Sequence, residues 1–236
     1  MTHEFEISKE VEVDGTPEQV WDAIATGPGI DSWFMGPHTV DGRVGGRMTL
    51  DLGFFQESST ITSWEPGKRL AYESDKGEDG TFHAMEYLIE GRDQGTTVLR
   101  FVHTGILADG WGDEFVDQQS KGWDMYLFTM AEYVKHFAGR PGTYVFAQWP
   151  VLLKALDVPS DAEVGDEVTL RPFGINGVVD YVVRHDLHNF LGVRGPEGIY
   201  RFHGTNAFGH HLFGDATGQA EKWQAFLAQT LGGQTS

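Results

Sequence analysis

The apolar residues of the first 141 positions change their period along the chain, and these changes predict the elements. Alternation near the start predicts a half-buried strand with apolar positions at Phe5, Ile7, Val11 and Val13. Thr16-Pro17-Glu18-Gln19 has the residues of a capping box with proline at the first helical position, and predicts a helix that reaches Ile24. A shorter apolar turn follows from Ile30 to Phe34.

Later segments predict an antiparallel sheet, because the connections between them are short turns. The predicted strands are Arg47 to Leu52, Ser58 to Trp64, Arg69 to Glu73, Phe82 to Glu90 and Thr96 to Thr104. A long amphipathic helix from Asp113 to Phe137 closes this part, with apolar residues at steps of three and four. Gly122 lies inside that helix, which indicates that a neighbouring group approaches the helix closely there; the alternative is an accident of the sequence, because isolated helix glycines are tolerated.

A strand, a helix pair, an antiparallel meander and a long final helix predict an α+β helix-grip fold, in which the sheet wraps the last helix and leaves a cavity. Five short motifs, in order, resemble the heat-shock ATPase activator homologues of the START/SRPBCC superfamily. They are Val20-Trp21-Asp22-Ala23-Ile24, Ser32-Trp33-Phe34, Val44-Gly45-Gly46, Trp64-Glu65-Pro66-Gly67-Lys68-Arg69-Leu70-Ala71-Tyr72 and Gly122-Trp123-Asp124-Met125-Tyr126-Leu127. The resemblance covers about Phe5 to Phe137. It implies binding of something apolar, since the superfamily includes co-chaperone domains, lipid carriers and polyketide aromatase/cyclases.

The break Gly139-Arg140-Pro141-Gly142 predicts a domain boundary, with a helix-grip domain at 1–141 and a smaller α+β domain at 142–236. In the second part, Val164 to Leu170 echoes Val44 to Leu50. A short helical pattern precedes it and three strands and a helix follow, at Val151 to Leu156, Val178 to Val183, Asn189 to Arg194, Ile199 to Gly204 and Ala220 to Leu231. We interpret this part as a shortened, degenerate repeat of the first; the alternative is an unrelated appendage.

The hairpin with its loop at Gly91 to Gly95 brings two histidines together. If Glu90 pairs with Thr96, then His83 faces His103 at one end of an apolar wall. Such a pair is a polar anchor for a ligand carbonyl or phenol, a general acid/base, or two residues that only reach water or each other. The sequence leaves these three readings open.

We expect the ligand-binding residues to come from both walls of the cavity. They are Trp33, Met48, Leu50, His83, Met85, Tyr87, Leu99, Phe101, His103, Trp123, Leu127 and Met130. The second part has five histidines, at His185, His188, His203, His210 and His211. Their spacing does not favour a zinc site, and no motif indicates a cofactor.

Charge and composition narrow the class of partner. The chain has 17 basic and 35 acidic residues, for a net charge of −18, and residues 1–141 carry −14 of it. This balance disfavours nucleic acid and anionic membranes as partners. The absence of cysteine excludes disulfides and thiolate chemistry. With no targeting or membrane-spanning segment recognised, we expect a cytoplasmic protein whose acidic residues coat an uncharged cavity.

The sequence therefore predicts a protein that binds a small hydrophobic or aromatic molecule without covalent chemistry. Two alternatives stay open. One is a protein-interaction module of the co-chaperone kind, which would need a surface patch and no internal cavity. The other is a polyketide cyclase-like or hydrolase-like enzyme that uses His83 and His103.

Overall fold

The computed structural model of the protein describes residues 2–92, 95–108, 113–148, 158–171, 173–185, 188–203, 207–215 and 217–232. The chain divides into two units, Met1–Pro141 and Gly142–Ser236, which we call the first and the second unit. Each has its own antiparallel sheet and its own final helix.

The first unit contains seven strands and three helices. In chain order they are β1 Thr2–Val13, α1 Pro17–Ala25, α2 Gly27–Asp31, β2 His38–Val40, β3 Arg47–Asp51, β4 Gln56–Glu65, β5 Arg69–Ser74, β6 Phe82–Gly91, β7 Thr97–Ala108 and α3 Asp113–Phe137. The strand order in the sheet is β1-β7-β6-β5-β4-β3-β2. The α+β helix-grip fold predicted from the motifs is confirmed.

Local chemistry sets where α1 begins and how α3 is held. The Thr16 hydroxyl accepts the backbone N–H of Gln19, and the Gln19 side chain accepts the N–H of Thr16, so the predicted capping box is present. Ion pairs from Lys9 to Asp124 at 2.6 Å and from Lys135 to Asp14 at 2.7 Å join α3 to β1 and to the turn after it. The buried face of α3 therefore lies against the sheet.

The space beside Gly122 differs from our expectation. A β-carbon built on Gly122 meets no heavy atom of the described residues within 4 Å. The glycine is therefore not required by a close approach, and its place inside α3 has no packing reason in the structure.

The register of the β6–β7 hairpin differs from the predicted one by two residues. Met85 lies opposite His103, Tyr87 opposite Phe101, and His83 opposite Gly105. The strands continue one residue beyond Glu90, and the Arg92 N–H donates to the Thr96 carbonyl at 2.8 Å, which closes a shorter loop than expected. Because a shift of two keeps every side chain on its own face, both histidines still point to the same side.

The second unit has six strands and one described helix. They are β8 Thr143–Gln148, β9 Glu167–Leu170, β10 Ile175–His185, β11 His188–Gly195, β12 Gly198–His203, β13 Ala207–Leu212 and α4 Gln219–Gly232. The strand order is β8-β13-β12-β11-β10-β9. Its core is a cluster of aliphatic and aromatic residues around the buried Trp223. The predicted helix from Val151 to Leu156 lies outside the described residues.

None of the described helices is both long enough and apolar enough to span a membrane.

Candidate functional site

A cavity of about 310 Å³ lies in the first unit between the sheet and the N-terminal half of α3. The strands β2 to β7, the loops after α2 and after β3, and three residues of α3 form its wall. The lining residues are Phe34, Met35, His38, Met48, Leu50, Phe55, Glu57, Ser59, Tyr72, His83, Met85, His103, Phe115, Gln119 and Trp123. The volume is at the lower end of the range of small-molecule sites.

A chain of three rings crosses one side of this cavity. The indole Nε1 of Trp123, on α3, donates to Nδ1 of His103 at 3.0 Å. The Nε2 of His103 lies 3.1 Å from Nδ1 of His83, the diagonal neighbour on β6. His103 is 4% exposed, whereas His83 is partly exposed and lines the cavity.

The geometry fixes which nitrogens carry hydrogen. An indole N–H can only donate, so Nδ1 of His103 is the acceptor and Nε2 of a neutral His103 carries the proton. That proton is donated to Nδ1 of His83, which leaves the hydrogen of a neutral His83 on its Nε2. The chain of donors therefore runs from Trp123 through His103 to His83 and ends with an N–H at the cavity wall.

Burial keeps His103 neutral. Desolvation, with a smaller contribution from the neighbouring His83, lowers the pKa of His103 to about 4. At neutral pH its imidazole therefore bears no charge, and the tautomer assigned above holds.

A second polar pair, formed by Asp31 and His38, lies at the cavity wall and was not predicted from the sequence. The carboxylate of Asp31 accepts two hydrogen bonds from His38, one from its backbone N–H at 2.9 Å and one from Nδ1 of the His38 ring at 2.8 Å. The ring of His38 is almost fully buried and lines the cavity. The pair forms because the loop between α2 and β2 turns back on the end of α2, and no periodicity in the sequence signals such a contact.

The remaining polar groups of the wall are the phenol of Tyr72, the hydroxyl of Ser59, the amide of Gln119 and the carboxyl group of Glu57. The phenol of Tyr87 lies beside this wall, at a smaller void. Burial raises the pKa of Tyr72 to about 12, and burial with the adjacent Tyr72 raises the pKa of Tyr87 well above its usual value. Both phenols are therefore neutral at physiological pH. The wall that we expected to be nearly uncharged therefore includes the acidic side chain of Glu57.

The structure brings half of the sequence-predicted site residues to this cavity. Those in its wall are Met48, Leu50, His83, Met85, His103 and Trp123. Trp33 and Tyr87 instead line a small void of about 30 Å³ next to it, and the Trp33 indole donates to the Ala23 carbonyl at 2.8 Å.

The other four predicted residues lie in the buried core and line neither space. They are Leu99, Phe101, Leu127 and Met130. Phe101 packs against Trp123 with ring centroids 4.2 Å apart, so the tryptophan stands between it and the cavity. Leu127 and Met130 follow Trp123 by one and two helical turns, where the sheet and α3 already meet.

The wall also has aromatic residues that the sequence reasoning missed. Phe34 stacks on Trp123 with an interplanar angle of 4° and meets Tyr126 edge-on. Phe34 belongs to the motif Ser32-Trp33-Phe34, which served only to recognise the family. Phe55 is half exposed at the β3–β4 turn and could not be assigned from alternation, since turns have none.

Metal binding has no support in the part of the chain that the structure describes. No three histidine, aspartate or glutamate side chains among those residues converge as metal ligands do.

Comparison with protein families places this geometry in a known group. The model of the family described as "Activator of Hsp90 ATPase homolog 1-like protein" matches residues 14–135, which is half of the chain. The chain belongs to this family. The resemblance drawn from the five sequence motifs is thereby confirmed. A comparison with curated proteins gives no match.

Solved structures of similar fold include three bacterial proteins. The Aha1 dimer from Colwellia psychrerythraea is 18% identical, with a TM-score of 0.46 over 56% of this chain and 96% of that chain. CalU16 from Micromonospora echinospora is 19% identical, with a TM-score of 0.44 over 57% and 86%. Protein BH1534 from Bacillus halodurans is 23% identical, with a TM-score of 0.47 over 57% and 99%. At these identities and TM-scores the structural similarity supports no conclusion about function.

Proposed function

We propose that the first unit binds a small, uncharged aromatic molecule in the cavity between the sheet and α3, and that an oxygen of this ligand accepts the Nε2 hydrogen of His83. The observation that carries the proposal is the hydrogen-bonded chain from Trp123 through His103 to His83, which ends at an otherwise mainly apolar cavity. A concave apolar site with a few fixed polar groups is the usual form of a small-molecule site.

The polarity of the wall selects the ligand class. The His83 ring offers a donor, while Glu57 and Tyr72 offer acceptors, so a molecule with one carbonyl or phenol oxygen finds a partner. An anionic ligand would meet the carboxylate of Glu57 and the acidic surface of this unit. Phe34 and Trp123, which stack on each other, give a flat wall for an aromatic ring.

The enzyme alternative has weaker support. A general base works best with a pKa near the operating pH, whereas the pKa of His103 is lowered to about 4 by burial. The Nδ1 of His103 is also bonded to an indole, which cannot accept a proton. Of this pair, only His83 could then act on a substrate, and its Nε2 hydrogen suits a donor that orients a ligand.

The test is a titration of the full chain, labelled with ¹⁵N, with acetophenone as an uncharged aromatic ketone. We expect the indole N–H signal of Trp123 to shift, because the ketone enters the cavity beside it. His83→Phe keeps a ring and removes the donor, and should weaken binding about five- to tenfold, as loss of one hydrogen bond does. His83→Gln keeps an N–H donor and should bind nearly as the wild type does.

The matched control is His136→Phe, which makes the same change on the far turn of α3, where His136 neighbours Glu132. Its affinity should equal that of the wild type. The proposal fails if acetophenone leaves the Trp123 signal in place, or if His83→Phe and His136→Phe bind equally well.

A second candidate function is interaction with another protein, and the β3–β4 turn favours it. Phe54 is 83% exposed there, next to the half-exposed Phe55, and the family description names an activator of the Hsp90 ATPase. Adding the full chain to an Hsp90-class ATPase should then raise the ATPase rate. Phe54→Ser should abolish that effect and leave the acetophenone titration unchanged; no stimulation by the wild type would rule this function out.

A further inference from the structure

The two sheets share one topology. In the first unit the first strand pairs with the last, and the other strands follow in reverse chain order, β1-β7-β6-β5-β4-β3-β2. The second unit repeats this arrangement with one strand fewer, β8-β13-β12-β11-β10-β9. In both units a helix follows the last strand.

The segments that echo each other in sequence make the same backbone bonds. The Gly45 N–H donates to the Ile61 carbonyl at 2.8 Å, and the Ile61 N–H donates to the Gly46 carbonyl at 2.9 Å. In the second unit the Gly165 N–H donates to the Val179 carbonyl at 2.8 Å, and the Val179 N–H donates to the Asp166 carbonyl at 2.9 Å. Both glycines have positive φ.

A bulge follows at the same place in both units. The pairing of β4 with β5 shifts register just after Ile61, and that of β10 with β11 shifts just after Val179. Ile61 and Val179 are therefore equivalent positions, from which the two sheets can be compared strand by strand.

The row of paired residues that starts at each of these positions and runs across the sheet ends at a histidine on the last strand. The paired residues in the first unit are, in order, Ile61, Tyr72, Met85 and His103. Those in the second unit are Val179, Val193, Tyr200 and His210. His103 and His210 thus occupy the same place on the last strand of their units.

Each histidine meets a tryptophan of the final helix, but the hydrogen bonds differ. His103 accepts the indole N–H of Trp123. The ring of His210 lies 4.5 Å from that of Trp223, and its Nδ1 instead accepts the backbone N–H of Arg201 at 3.2 Å. In the part of the chain that the structure describes, Nε1 of Trp223 and Nε2 of His210 have no hydrogen-bond partner, although both atoms are buried.

Trp223 lines a cavity of about 850 Å³ between one end of this sheet and α4. Its apolar wall is formed by Phe173, Ile175, Tyr200, Leu212, Trp223 and Phe226. Its rim has both signs of charge, in Glu197, Asp215 and Lys222, so it does not favour a charged ligand. A buried donor without an acceptor destabilises the fold, and an acceptor on a bound molecule removes this cost.

We propose that the second unit is a shortened copy of the first and has a second ligand site of its own, in which the indole N–H of Trp223 donates to an oxygen of an uncharged aromatic molecule. The two sites differ in their donor. In the first unit the protein itself accepts the indole hydrogen and His83 faces the ligand. In the second the indole is fully buried without an acceptor, so the ligand must displace a covering side chain such as Phe173, whose ring stacks on Trp223 with centroids 4.0 Å apart, to accept the indole hydrogen.

The experiment compares acetophenone with isopropylbenzene, which has a similar size and no oxygen, by NMR titration of the ¹⁵N-labelled full chain. The reporter is the indole signal of Trp223, assigned by its loss in Trp223→Phe. Acetophenone should move this proton signal downfield and bind about five- to tenfold more tightly than isopropylbenzene. An unmoved signal, or equal shifts and affinities for the two compounds, would overturn the proposal.

Two further variants separate this site from the one in the first unit and from loss of folding. Ala225→Trp, at an exposed position of the cavity wall, should abolish the Trp223 response and keep the dispersed spectrum of the folded chain. Trp123→Phe should leave the Trp223 response intact. A Trp223 response that survives Ala225→Trp, or disappears in Trp123→Phe, would contradict an independent second site.

Discussion

The two units carry the same pair of side chains, a histidine on the last strand and a tryptophan on the final helix, and differ in what the indole N–H binds. In the first unit Trp123 is hydrogen-bonded to His103, and the cavity beside the pair measures about 310 Å³. In the second unit Nδ1 of His210 accepts the backbone N–H of Arg201, and the cavity at Trp223 measures about 850 Å³.

The difference teaches that the same histidine–tryptophan pair, at equivalent positions of two related units, can have two chemical roles. A tryptophan whose N–H is bonded within the protein fixes a tautomer in its neighbour and contributes a rigid wall. A tryptophan without an acceptor leaves a directional donor in an apolar site. The role depends on which group donates to Nδ1 of the histidine: the indole in the first unit, and the backbone N–H of Arg201 in the second.

The units also differ in their ion pairs, which gives the largest effect we predict. Arg201 is 1% exposed and bonds Asp180 through both oxygens, at 2.8 and 3.0 Å. Arg201→Met leaves the Asp180 carboxylate buried and unpaired, and should lower the free energy of unfolding by about 3–5 kcal/mol. Urea unfolding of the full chain measures it.

The matched variant in the first unit is Arg69→Met, because Arg69 pairs with Glu86 at 2.6 Å where both side chains are partly exposed. It should cost much less than Arg201→Met does, because solvent screens an exposed ion pair. Similar losses for the two variants would show that burial does not distinguish these pairs.

Acid should destabilise the second unit through its histidines. Burial is the main cause that lowers the pKa of His203 to about 4 and that of His210 well below its usual value, with smaller contributions from Arg201 and the neighbouring histidines. Below about pH 6.5 the unfolded chain takes up protons that the folded chain does not. The unfolding free energy therefore falls as the pH decreases toward 4, by at most about 1.4 kcal/mol per pH unit for each histidine.

His210→Phe removes one of these groups, so it should lose less stability than the wild type between pH 7 and pH 5. The control Phe202→Leu weakens the same core without removing a titrating group, and its pH dependence should match that of the wild type. Urea midpoints at the two pH values measure both. Equal pH dependence in His210→Phe and the wild type would contradict the lowered pKa of His210.

Much of the fold could be predicted from residues that act locally. The capping box at Thr16, the turn residues between strands and the period of α3 each specify structure within a few residues. The five motifs then sufficed to recognise the family. The placement of His83 and His103 on one face followed as well, since an even register error keeps each side chain on its own face.

The rest depends on contacts that no local pattern encodes. The exact register was set by the bond between Arg92 and Thr96, in a loop whose length the sequence leaves open. The pairing of Asp31 with His38 depends on how the loop after α2 turns back. Periodicity places Leu127 and Met130 on the buried face of α3, but it does not say where along the helix the sheet stops touching it.

Replacing each tryptophan by phenylalanine tests the comparison of the indole bonds directly. Trp123→Phe removes the donor to His103 and leaves a buried acceptor, which costs about 1–3 kcal/mol beyond the lost packing. Trp223→Phe removes a donor that has no partner among the described residues, so it should cost the packing alone.

Double-mutant cycles on unfolding free energy isolate the bonds. The cycle of Trp123→Phe with His103→Leu should give a coupling of about 1 kcal/mol, and the cycle of Trp223→Phe with His210→Leu a smaller one. A larger coupling in the second unit would reverse the assignment of the two roles.

The smallest effect concerns the residue before each tryptophan, which is Gly122 in α3 and Lys222 in α4. Because a β-carbon at Gly122 has open space, Gly122→Ala should raise the free energy of unfolding by about 0.5–1 kcal/mol through the lower entropy of the unfolded chain. The control is Gly15→Ala, whose β-carbon would collide with Val134 and should destabilise the fold. Since Gly122→Ala leaves the Trp123–His103 bond in place, the acetophenone affinity read at Trp123 should not change. A change in affinity with that small gain in stability would mean that the titration reports the rigidity of α3 and not the donor at His83.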